Sequence, residues 1–186
     1  MTSIKKLNID ISWTLFLDRD GVINKRIIDE YVVSWEQFEF LPNVLNALKK
    51  LNGLFYKIVI VSNQQGIGKG LMSEKDLKII HQKMIEEIDA NGGKVDNIYY
   101  CPFKAEDKSV LRKPDVGMAL LAKKDFPEIN FKKSIIVGDS ITDLEFGDRL
   151  KMVKVYISED ITSIRKNFKL IDFAYDDLFA FSEDLI

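Results

Sequence analysis

The chain has 186 residues, 46% of them hydrophobic and 30% charged, the balance of an ordinary globular protein able to bury a sizeable core. Lys and Arg total 27 against 29 Asp and Glu, and this formal net charge of −2 argues against a broadly basic nucleic-acid surface. The one cysteine, Cys101, excludes an internal disulfide, and no apolar run reaches the length of a membrane span, so the expectation is a single cytoplasmic domain over 1–186 with no membrane partner.

In chain order, "WTLFL" (13–17) is the first expected strand, and it ends abruptly at Asp18, Arg19 and Asp20. Residues 21–41 follow without helical periodicity, and the alternation in "WEQFEF" predicts a small flap or hairpin. "NVLNALKKLNG" (43–53) places Val44, Leu45, Leu48 and Leu51 on one face and meets Gly53, a helix stop. "KIVIVS" (57–62) is a continuous apolar run, as in a strand covered on both faces. "GIGKG" (66–70) lacks the hydroxyl residue that a phosphate loop needs after its lysine and reads as a turn. The next helix (73–93) opens with Ser73 as N-cap and stripes Leu77, Ile80, Met84 and Ile88 before Gly92 and Gly93. His81, the only histidine, sits beside that stripe and is expected to be structural. "NIYYC" (97–101), a helix over 115–125, "SIIVG" (134–138), a helix after Ser140 and "MVKVYI" (152–157) complete the alternation, with "YDDLFAFSEDL" as a closing helix. Strands alternating with helices predict an α/β fold, a doubly wound Rossmann-like parallel sheet.

In such sheets ligands bind beyond the carboxyl ends of the strands. The residues there are Asp18 and Asp20 after the first strand, Ser62 and Asn63 after the second, and Asp139 and Asp143 after the fourth; Arg112 and Lys113 precede the third helix. Two clustered carboxylates repel each other, and burying either one alone costs several kcal/mol, so something cationic must hold them. The set suits a phosphate ester. Asp18 and Asp139 offer the hard oxygens that Mg²⁺ takes, Asp18 can attack phosphorus, and Asp20 can give and take the proton. Ser62 and Lys113 would stabilise the phosphoryl oxygens. Ser140 to Asp143 also fits the S-x-x-D start of a helix, which gives Asp143 a structural role beside a supporting one at the site.

"DRDGVIN", "VSNQQGIG", "RKPDVGM" and "VGDSITD", in that order, resemble the four motifs of the haloacid dehalogenase superfamily of phosphohydrolases. "NQQGIGKG", "YYCP", "RKPDVGM" and "YVVSWEQFEFLPNV" are similar to the branch that holds D-glycero-D-manno-heptose 1,7-bisphosphate phosphatases and histidinol-phosphate phosphatases. The resemblance implies Asp18 as nucleophile, Asp20 as acid/base, and Mg²⁺ held by Asp18, Asp139 and the backbone carbonyl of Asp20. It also implies Ser62 and Lys113 on the phosphoryl group, and Asn63, Gln64 and Arg112 on the substrate.

Many enzymes of that branch carry a structural zinc on one histidine and three cysteines. Here Cys101 stands alone and Phe103 replaces the histidine, so no zinc is expected and Cys101 reads as a buried, inert thiol. "GDS" supplies Ser140 where a lysine or arginine often stands, which opens the substrate's identity. The gaps between motifs leave no room for a large cap domain. The expected partner is a small phosphorylated metabolite, and the sequence specifies no oligomeric state. A DNA 3′-phosphatase shares the "NQ.GI" and "RKP..GM" patterns, but the chain lacks a basic, aromatic-interleaved tract. A receiver that keeps its aspartyl phosphate uses a similar Asp, Ser and Lys set, but Asp20 argues for completed hydrolysis.

Overall fold

Every residue of β1 (Thr14–Leu17) is buried, because its alternate side chains serve two separate cores. Leu15 and Leu17 join one core and Phe16 the other. The same division puts Ile58 and Ile60 of β2 (Lys57–Asn63) on the first face and Val59 and Val61 on the second. Double-sided burial is why these strands read as unbroken apolar runs. The computed structural model describes residues 4–28 and 30–186.

Six strands form one all-parallel sheet in the order β3-β2-β1-β4-β5-β6, completed by β3 (Asn97–Cys101), β4 (Ser134–Gly138), β5 (Val153–Ile157) and β6 (Phe173–Tyr175). Side chains of α1 (Val44–Leu51), α2 (Glu74–Ala90) and α6 (Leu178–Leu185) build the first core. Those of α3 (Gly117–Asp125) and α4 (Ile141–Leu150) build the second. The doubly wound α/β expectation is met. Neither the helix α5 (Ile161–Lys166) nor the three-residue edge strand β6 was foreseen, and neither has a fully buried side chain. The closing helix starts at Leu178, capped by Asp177, because Tyr175 is drawn into β6.

Helix α2 carries the expected cap. Ser73 Oγ accepts from the Asp76 amide at 3.2 Å, and Asp76 Oδ2 accepts from the Ser73 amide at 2.9 Å. The described residues of 21–41 form a flap whose ends pair only at one antiparallel bridge, Asn24 with Phe40, without a strand ladder. Among the described residues it contains one 3₁₀ turn, Trp35–Gln37, and isolated bridges from Asn24 to Asp20 and Phe40. The alternation in "WEQFEF" reflects an aromatic cluster instead. Trp35 stacks on Phe38 at 5.0 Å between centroids, and Phe40 meets Phe38 edge-on at 4.9 Å. Such pairs fix a segment that has no ladder of its own.

Candidate active site

The strand order reverses at β1, whose neighbours are β2 on one side and β4 on the other, and this is the switch point where α/β sheets bind ligands. The Asp18 amide extends the β1–β4 ladder by one bond, donating to Val137 O at 2.9 Å. The chain then turns sharply, with the Ile23 and Asn24 amides both donating to Arg19 O. Gly21 has φ +93°, and a Cβ there would lie 1.8 Å from Asp139 Oδ2. Only glycine lets the β1 and β4 carboxylates approach this closely.

Lys113 supplies the cation that clustered carboxylates require. Its side chain is buried, and Nζ reaches Asp18 Oδ1 at 2.8 Å, Asp143 Oδ1 at 2.6 Å and the Val61 carbonyl at 2.6 Å. Burial opposes its charge, but the two carboxylates more than compensate and raise its pKa. Asp143 also starts α4, its Oδ2 accepting from the Ser140 amide at 3.1 Å and hydroxyl at 2.5 Å. One lysine does not neutralise the group. Burial, with the Asp143 and Asp20 charges, pushes Asp18 up to about 6 against the pull of Lys113. Burial and Asp18 push Asp139 up to about 8 against Arg26. Oxygens of Asp18, Asp139 and Asp143 all lie within 4.8 Å of one another. Hard, charged and mutually repelling donors of this kind fit a divalent ion such as Mg²⁺.

Asp20 is held differently. Its Oδ1 accepts from Arg19 at 3.0 Å and Asn24 at 2.9 Å, and its Oδ2 from Gln64 at 2.8 Å. Burial raises its pKa, but the Arg19 charge and these three donors outweigh it and lower the carboxyl below its ordinary value. Gln64 also donates to Ser62 Oγ at 2.7 Å, linking the ends of β1 and β2. Arg19 is itself buried, and its second nitrogen lies 3.2 Å from His81 Nε2. A guanidinium only donates, so Nε2 is the acceptor and the imidazole is neutral with its proton on Nδ1. Burial, and then the Arg19 charge, press its pKa down to about 3.

Asn63 points its amide at the Lys113 backbone, donating to the carbonyl at 3.2 Å and accepting from the amide at 3.0 Å. Arg112 contacts Phe103 O at 3.4 Å. Asp18, Asp20, Ser62, Asn63, Gln64, Arg112, Lys113 and Asp143 all line one cavity of about 450 Å³. Asp139 joins them through Arg26, whose guanidinium reaches Asp139 Oδ1 at 2.7 Å. Cys101 is buried.

Four participants have no counterpart in the sequence reading: Arg19, Arg26 and, on the cavity wall, Tyr31 and Lys69. Lys69 belongs to the "GIGKG" turn and donates to Tyr31 OH at 2.9 Å. His81 is structural as expected, but its partner is a buried arginine rather than the apolar stripe.

Carboxylates of distant segments gathered at a switch point around a buried lysine define a phosphohydrolase of the doubly wound class. A family model described as polynucleotide kinase 3 phosphatase matches residues 8–181. The D-glycero-α-D-manno-heptose-1,7-bisphosphate 7-phosphatase of Mycobacterium bovis is 44% identical over 133 residues, 72% of this chain and 70% of the relative. The D-glycero-β-D-manno-heptose-1,7-bisphosphate 7-phosphatase of Rhodopseudomonas palustris is 35% identical over 137 residues, 70% of this chain and 74% of the relative. The crystal structure of the D,D-heptose 1,7-bisphosphate phosphatase of B. bronchiseptica, complexed with magnesium and phosphate, superposes with a TM-score of 0.82 at 28% identity and covers 93% of this chain and 97% of that one. The chain belongs to the haloacid dehalogenase superfamily, in the phosphatase branch that this family model and these heptose-bisphosphate phosphatases represent. It is a phosphatase.

Proposed function

We propose that the protein is a Mg²⁺-dependent phosphomonoesterase that removes the 7-phosphate of a D-glycero-D-manno-heptose 1,7-bisphosphate by way of an aspartyl phosphate. The observation that carries the chemistry is the Asp18 carboxylate, buried at the switch point with Oδ1 anchored by Lys113 and Asp139 beside it. The substrate follows from the heptose-bisphosphate relatives.

Asp18, Asp139 and the Asp20 carbonyl would hold the ion, with Asp143 behind them. A bound ion would supply charge neutralisation, so that a dianionic phosphate can approach an anionic nucleophile. Asp18 attacks phosphorus as the bond to the sugar oxygen breaks, and Asp20 protonates that oxygen. Water then attacks phosphorus, Asp20 takes its proton, Asp18 is freed and inorganic phosphate leaves. Asp20's three donors favour the ionised form that accepts this proton. The negative charge of an approaching phosphate favours the protonated form that the first step needs. Ser62 and Lys113 bind phosphoryl oxygens, Gln64 keeps Ser62 and Asp20 in register, and Asn63 fixes the Lys113 backbone. Asn63, Gln64 and Arg112 contact the substrate.

Phosphate release with Mg²⁺ tests the reading across heptose bisphosphates, histidinol phosphate, other sugar phosphates and a 3′-phosphorylated oligonucleotide. The heptose bisphosphates are expected to be the fastest, and Asp18→Asn to abolish turnover with every substrate. Preferential release from the oligonucleotide overturns the substrate, and turnover by the Asn variant overturns the mechanism.

A further inference from the structure

Arg26 rises from the base of the flap, directly after the turn that carries Asp20. Its guanidinium lies 2.7 Å from Asp139 Oδ1, 3.2 Å from the Asp20 carbonyl and 3.9 Å from Asp18 Oδ2. These are the three groups assigned above to the metal. No other described cation touches all three. The Arg26 side chain is 46% exposed, against 2% for Lys113, so one cation is free to leave and the other is built in. The backbone beneath it is pinned, with the Lys25 amide donating to Glu39 O at 2.8 Å, so departure requires only side-chain rotation. Arg26 also lines the cavity that holds Ser62 and Lys113.

We propose that Arg26 is an exchangeable counter-cation and a substrate-binding residue of the site. Without metal, its guanidinium bridges Asp139, Asp20 O and Asp18 and keeps the carboxylates gathered. An entering divalent ion competes for the same oxygens and releases the side chain. The freed fork of donors turns into the cavity and grips the phosphoryl oxygens, for which a planar guanidinium is well matched. The inference rests on the metal assignment of the proposed function. It adds a coupling, in which one residue weakens metal binding and strengthens phosphate binding.

Calorimetry with Mg²⁺ alone, and then with inorganic phosphate on the Mg²⁺-saturated protein, separates the parts. Arg26→Gln is expected to bind Mg²⁺ about tenfold more tightly, the factor that about 1.4 kcal/mol of ion pairing converts to, and phosphate about tenfold more weakly. Lys69→Gln removes a charge from the same cavity without touching the carboxylates, and is expected to change Mg²⁺ affinity less than about twofold. In the wild type, Mg²⁺ is expected to shift the Arg26 guanidinium NMR signals. Unchanged or weaker Mg²⁺ binding by Arg26→Gln, an equal gain in Lys69→Gln, or unchanged phosphate affinity in Arg26→Gln each overturns the inference while leaving the site's metal assignment intact. Absence of Mg²⁺ binding in all three proteins overturns both.

Discussion

Two residues show how little slack the site has. Gly21→Ala would drive a methyl group into Asp139 Oδ2 in a backbone conformation that L-residues adopt at a cost of about 1–2 kcal/mol. The variant is expected to remain folded but to lose turnover by about 10²-fold or more, since displacing a reacting group by about 1 Å costs that much. Steady-state kinetics beside a melting curve will separate the two effects. His81 gives a prediction about pH. Its folded pKa of about 3 lies below the unfolded value near 6.5, so between these values the unfolded chain binds the extra proton. Stability is full above about pH 6.5 and falls as pH drops towards 3, by about 1 kcal/mol per pH unit from this one group. Glutamine at position 81 keeps an acceptor for Arg19 and removes the titration. Urea midpoints of His81→Gln are therefore expected to vary less between pH 6.5 and 4.5 than those of the wild type.

At the scale of elements, the strands that position the site were those most legible in the sequence, for a physical reason. Residues such as Val59, Ile60, Ile135 and Ile136 are fully buried on one face or the other, so the middles of β2 and β4 had to be continuously apolar. β6 escaped because its three residues are only half-buried on a sheet edge, where composition is weakly constrained. The flap was foreseen, but the hairpin alternative was not met, because aromatic clustering imitates the period of a strand. Asp18, Asp20 and Asp139 were legible because they terminate apolar runs. Arg26 was not, since a long side chain reaches across 113 positions to Asp139 and no local pattern announces it. Ser73 was legible from local chemistry alone. Ser73→Ala removes one half of a reciprocal cap and is expected to lower stability by about 1 kcal/mol, read from denaturant midpoints, with turnover unchanged.

At the scale of the molecule, the proposed metal ligands leave β1 and β4, adjacent central strands whose connection spans most of the chain. An ion bound there stabilises the folded state against the unfolded one by mass action. At about 100 times its dissociation constant, Mg²⁺ is expected to contribute about 2.7 kcal/mol, which raises the melting temperature by about 5–10 °C in a chain of this size. A chelator should reverse the rise, and Asp139→Asn should abolish it.

The central place of β1 has a consequence for how the protein can vary. Amide protons of Leu15 to Leu17 are shielded by strands on both sides, so they exchange with solvent only when the whole sheet opens, whereas a flap with little ladder bonding exchanges early. Flap residues Ile27, Tyr31 and Val32 line the cavity, whereas the proposed nucleophile follows a strand whose amides are freed only with the sheet. Replacing positions 27–36 with a loop of another length should retune which ester is accepted while leaving the nucleophile's support untouched.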